Sequence, residues 1–154
     1  MKVSVRRFFK GLGITLAVLA GLFGLIQLIP YGRTHSNPPT VEEPKWDSPR
    51  TRELAKRACF DCHSNETHWP WYANVAPMSW VVQRDVDAAR SVVNFSEFHI
   101  PYALASYSGL SVRNGTMPPS KYTVAHPEAR LTAAELAELS RGLDATLKVD
   151  TTRR

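Results

Sequence analysis

Residues 11–30, GLGITLAVLAGLFGLIQLIP, carry no charged side chain, and Gln27 is the only strongly polar one. At 1.5 Å rise per residue this run spans roughly 30 Å as a helix, the thickness of a bilayer's hydrocarbon layer. Lys2, Arg6, Arg7 and Lys10 precede it and only Arg33 follows closely. That bias holds the N-terminus on the cytoplasmic side and sends the rest of the chain across. A cleavable signal is the competing reading, with Val18-Leu19-Ala20 as a loose small-residue cleavage site. Cleavage there would leave a new N-terminus that is apolar from Gly21 to Pro30, where such regions normally turn polar. A buried core helix would show a polar stripe, which this run lacks. Residues 1–30 are therefore expected to be a single membrane anchor.

The net charge of +5 does not mark a nucleic-acid binder. The four basic residues before the apolar run account for most of it; taking them from the nineteen Lys and Arg leaves fifteen against fourteen acidic residues. A nearly neutral body has no basic footprint for a phosphate backbone. Its size allows one domain. Residues 31–48, rich in Pro, Ser, Thr and charge, read as a tether, 49–148 as the folded domain, and 149–154 as a C-terminal tail.

Within the domain the apolar spacing is helical. Ser48-Pro49 has the form of an N-cap followed by proline at the first helical position, predicting a helix through about Cys62. Residues 68–77, dense in Trp, Tyr and Pro, suit a wrapping loop. Val82, Val86, Ala89 and Val93 align on one face of a helix over 78–93. A third helix is expected within 96–113, interrupted by Pro101 and Gly109. Gly115-Thr116-Met117-Pro118-Pro119 must break it. Thr132 and Glu135 form a capping box, followed by the seam Leu136, Leu139, Leu143 and Leu147. No strand-like alternation of useful length is present, so the fold class is all-α.

The only two cysteines of the chain fall in Cys59-Phe60-Asp61-Cys62-His63, the C-x-x-C-H arrangement of covalent haem attachment. Two thiols one helical turn apart can each bond a vinyl group on one porphyrin edge, and the adjacent imidazole then addresses the iron. A redox-active disulfide needs a thioredoxin-like sheet, for which no strands are seen. A zinc site needs a fourth ligand from His68, His99 or His126. One covalently attached haem c is the reading these residues favour, with His63 as an axial ligand. The ligand on the opposite face is expected to be Met117, held in its proline-rich turn; Met78 and the three histidines are the alternatives. Trp69, Trp71, Tyr72 and Trp80 are candidates to line the ring, and Arg84, Arg90, Arg113 and Arg130 to meet its propionates, although ordinary packing and solvation explain each equally well.

The pentapeptide continues as Ser64-Asn65-Glu66-Thr67. Further on come Trp69-Pro70-Trp71-Tyr72, Ala76-Pro77-Met78-Ser79-Trp80, Asn94-Phe95-Ser96-Glu97, Met117-Pro118-Pro119 and His126-Pro127-Glu128-Ala129-Arg130-Leu131. With these stretches, over about residues 50–145, the chain resembles the bacterial haem-binding domain family of exported proteins. The resemblance implies a small cytochrome c-like helical domain, haem attached at Cys59 and Cys62, and His63 as axial ligand. Met117 matches the family's Met-Pro step and looks like the distal-ligand loop of cytochromes c. The expected function is one-electron transfer by a mono-haem c-type cytochrome, a carrier rather than a catalyst. It would be anchored by one pass in the bacterial inner membrane with its haem domain in the periplasm, and its partner would be a redox protein or a membrane respiratory complex. The alternative is a ligand-binding sensor or peroxidase-like module with an open sixth position.

Overall fold

The computed structural model describes residues 5–148 and falls into two compact units. One runs through His35 and takes in Pro70–Arg84; the other comprises Ser36–Trp69 and the described residues from Asp85 onward. Helices supply all the regular structure among the described residues, where a single isolated parallel bridge, Glu42 with Glu97, is the one extended pairing. The expected tail at 149–154 lies outside the described residues.

In the first unit, helix α1 covers Val5–Ile26 and buries none of its residues. Its most apolar window has a mean hydropathy of 2.0, so it is long and apolar enough to cross a membrane. Just past its end, Gln27 Nε2 donates to Ala76 O at 2.9 Å while Gln27 Oε1 accepts from Ala76 N at 3.0 Å. Arg33 Nη2 donates to the same Oε1 at 2.8 Å. Gly32, at φ +79, lies against the Ser79 backbone, where any side chain would collide. The Trp- and Pro-rich stretch expected to be a loop contains a 3₁₀ turn, Trp71–Asn74.

In the second unit, Ser48 Oγ accepts from Thr51 N at 3.1 Å and Pro49 fills the first helical position, as their order predicts. Helix α2, Pro49–Ala58, stops four residues short of the expected end. Cys59, at φ −128 and ψ −34, leaves helical geometry and serves both as C-cap of α2 and N-cap of the short α3, Phe60–His63. Helix α4, Met78–Val92, is shared: its residues through Arg84 belong to the first unit and those from Asp85 to the second. Only Val86 and Val93 of its expected stripe are fully buried. The long helix expected in 96–113 is replaced by a 3₁₀ turn, Ala105–Tyr107, and α5, Ser108–Arg113. Residues 94–100 instead form turns, Glu97 N donating to Asn94 O at 3.1 Å and Ile100 N to Glu97 O at 3.0 Å, and Pro101 cannot donate to a helical ladder. Helix α6, Ser120–Ala125, is too short to have shown a period. Helix α7, Ala133–Thr146, has both halves of its capping box.

Leu54, Phe60, Val93, Phe95, Val112, Leu139, Leu143 and Leu147 form the core of this unit, with α7 packed on α2 and α5. Each such side chain contributes about 1.5–3 kcal/mol by leaving water. Close approach needs small residues: Gly142 of α7 admits Thr51 of α2, and a Cβ there would overlap the threonine side chain. The stretch expected to be a free tether is fixed over much of its length. Val41 N donates to Ser96 O at 2.8 Å and Phe98 N to Glu42 O at 2.8 Å. Arg52 grips the Glu43 carboxylate at 2.6 and 2.7 Å, and the Trp46 ring lies 5.3 Å from Phe95 and 6.1 Å from Phe60. An aromatic body that can cover apolar rings explains why this segment stays on the domain.

Candidate functional site

The pentapeptide is shaped by the junction of α2 and α3. Cys62 N and His63 N both donate to Cys59 O, at 3.1 and 2.9 Å, so the two sulfurs stand one turn apart with the imidazole beside the second. His63 O then accepts from Phe95 N at 2.7 Å, tying this turn to the segment after α4.

A buried polar network fixes that connection. Asn94 Nδ2 donates to Asn65 Oδ1 at 2.8 Å, Asn65 N donates to Ser96 Oγ at 2.9 Å, and Ser96 N donates to Asn94 Oδ1 at 2.9 Å. Asn65 Nδ2 finds Glu97 Oε1 at 2.9 Å. Buried amides left unpaired would each cost about 1–3 kcal/mol, so the closed circuit defines one register for the two segments. Arg90 adds to it, donating to Ser64 O at 2.9 Å, to Ser36 O at 3.1 Å and to Thr67 Oγ1 at 3.1 Å.

His63 Nδ1 lies 3.0 Å from Val93 O. A carbonyl oxygen only accepts, so Nδ1 carries the proton and Nε2 holds the lone pair a metal needs. Burial pushes the imidazole's pKa down, against the opposing pull of the Val93 and Ala89 carbonyls, and favours the neutral form.

Cys59 and His63 line a cleft with Val92, Val93, Phe95, Leu104, Tyr107, Val112, Met117 and Leu143. His63 and Met117 thus meet in one apolar cavity although they are far apart in sequence. Cys62 is half-buried and is not part of the lining. Burial, with the neighbouring Cys62 second, raises the Cys59 thiol to about 12; burial, with Asp61 second, raises Cys62 to about 11. Thiols so reluctant to ionise are poor disulfide-exchange nucleophiles. Among the described residues no three His, Cys, Asp or Glu side chains converge on a possible metal position, which leaves the zinc alternative without a ligand set.

The other candidates are placed elsewhere. His68 is exposed and lies 3.2 Å from Asp61 Oδ1, and His99 is exposed. His126 stacks on Tyr122 and lies 3.1 Å from Glu128 Oε1. Met78, Trp71, Tyr72, Trp80 and Arg84 belong to the first unit. Arg113 is spent on Ser140 and Asp144, and Arg130 on the carbonyls of Thr123 and Val124. Leu104, Tyr107 and Leu143 were not foreseen as lining, since they lie in separate segments that only the fold assembles. Nor was the bond from Tyr122 Oη to Asp61 Oδ2, 2.7 Å long, which joins α6 to a residue between the two cysteines.

A flat apolar ring with a metal at its centre suits this donor set: one lone-pair imidazole nitrogen, a thioether, a thiol and a predominantly aliphatic and aromatic wall. In comparisons with known proteins, the model of a family described as haem-binding domain matches residues 21–145. No curated protein and no solved structure matches the chain.

Proposed function

This chain belongs to the haem-binding domain family, and from that premise we propose that it is a membrane-anchored mono-haem c-type cytochrome carrying single electrons outside the bacterial inner membrane. Haem bound in the cleft supplies a ferric/ferrous couple. Cys59 and Cys62 would attach the ring through thioethers, and His63 Nε2 and Met117 Sδ would ligate its iron. The observation that carries the reading is the His63 orientation: its hydrogen bond to Val93 O leaves Nε2 with the lone pair that an iron ligand needs. Val93, Phe95, Val112 and Leu143 keep water from the ring, and a thioether favours the reduced iron. Helix α1 holds the protein to the membrane in a single pass, with the cleft on the periplasmic side, and the partner is a redox protein or a respiratory complex.

The test is a pyridine haemochrome spectrum of full-length protein made with a cytochrome c maturation system, together with a denaturing gel stained for haem peroxidase activity. Two thioether links and retained stain are expected; colour extracted by acid-acetone overturns covalent attachment. Met117→Ala should lower the reduction potential, within the roughly 0.8 V range that axial ligands command. Met117 is 37% exposed at the rim of the cleft, and this favours, as a second reading, a sensor or peroxidase-like module with an open sixth position. A high-spin ferrous spectrum with rapid carbon monoxide binding in the unaltered protein would select it.

A further inference from the structure

Gln27 lies inside the uncharged run, between Lys10, the last charge before it, and Arg33, the first after it. With residues 11–30 centred in a bilayer, position 27 is ~10 Å from the midplane, while the hydrocarbon half-thickness is ~15 Å. A polar amide at that depth needs partners, and besides Phe23 O and the Arg33 guanidinium it finds them in the backbone of a loop. Gln27 takes both the N–H and the C=O of Ala76, so the backbone around Ala76 shares its depth.

The loop's composition agrees with that position. From Pro70 to Gln83 there is no charged side chain. Trp71 is 78% exposed, edge-on to Tyr72 at a centroid distance of 5.9 Å, and Val75, Met78 and Val81 are exposed as well. Uncharged apolar surface with Trp and Tyr at the end of a membrane helix matches the headgroup layer, where such amphipathic rings are most stable.

We propose that the segment from Trp71 to Val81 docks on the bilayer that α1 crosses, held by the Gln27–Ala76 pairing, with Trp71 and Tyr72 among the phospholipid headgroups. This rests on the anchoring part of the function proposed above. The test uses full-length haem-loaded protein in nanodiscs of phosphatidylethanolamine and phosphatidylglycerol. A fraction of the phospholipid carries a diazirine at a shallow acyl position, and adducts are located by peptide mass spectrometry after irradiation. Labelling of residues 71–78 severalfold above the unirradiated background is expected, alongside labelling of α1. Adducts on α1 without any on 71–78 overturn the docking and leave the anchor standing; adducts on neither overturn the anchor too. In Gln27→Leu with haem absorbance retained, labelling of 71–78 should fall severalfold while that of α1 persists, and unchanged labelling overturns the role of the pairing.

Discussion

Asp61 is one of the two residues between the cysteines, and its carboxylate accepts from Tyr122 Oη at 2.7 Å and from His68 N at 3.0 Å, with the His68 ring 3.2 Å away. Burial first, and the Asp61 carboxylate second, hold the Tyr122 hydroxyl protonated far above its ordinary range, so it acts only as a donor. Tyr122 lies in α6, five residues after Met117, which makes this bond a clasp between the segments bearing the two proposed iron ligands. Tyr122→Phe should cost about 1.5–3 kcal/mol in a denaturant titration, toward the low end because solvent reaches the pair. It should also weaken methionine ligation, seen as earlier thermal loss of the iron–sulfur charge-transfer band. Cys59, Cys62 and His63 were legible because their chemistry is written in contiguous spacing. The Asp61–Tyr122 pair was not, since it joins positions 61 residues apart and neither type is rare.

Helix boundaries follow the same logic at the next scale. Ser48-Pro49 and Thr132 with Glu135 could be read directly, because a cap is a local bargain between a side chain and the N–H groups one turn away. The stop at Cys59 and the loss of a long helix in 96–113 depend on distant partners, His63 O with Phe95 N among them. Glu135 shows how a cap gains from tertiary structure. Hydrogen bonding from Thr132 N, then from Arg57, brings its carboxyl from the ordinary 4.5 to about 2. A depressed folded pKa stabilises the fold above the ordinary value, and that contribution disappears as pH falls from 4.5 to about 2. Acid titrations of Glu135→Gln should therefore lose less stability over that interval than the unaltered protein. At the crossing of α2 and α7, Gly142→Ala forces the new methyl onto Thr51. A loss of about 1–3 kcal/mol is expected in equilibrium unfolding, and Thr51→Ala, which removes both the hydroxyl and the methyl that the new group would meet, should recover part of it.

For the whole molecule, the all-helical class follows from periodicity, whereas the division into two units does not. Helix α1 and the stretch Pro70–Arg84 belong together through contacts such as Gln27 with Ala76, 49 residues apart, which no local pattern announces. The second unit keeps an apolar cleft open in its own core, with Leu104 and Tyr107 more than half exposed at its edge. Covering the exposed half of two such side chains is worth on the order of 1 kcal/mol each. Protein made without haem should accordingly bind an environment-sensitive apolar dye and melt at a lower temperature, and haem loading should abolish the first and reverse the second. The family match opens at residue 21, well inside α1, and so covers the stretch that bears Gln27. Trimming the chain at Tyr31 to obtain a water-soluble sample would discard the amide that occupies both backbone groups of Ala76. The segment usually cut away for convenience is here a fitted part of the fold, and a shortened protein studied in its place would report on a loosened loop.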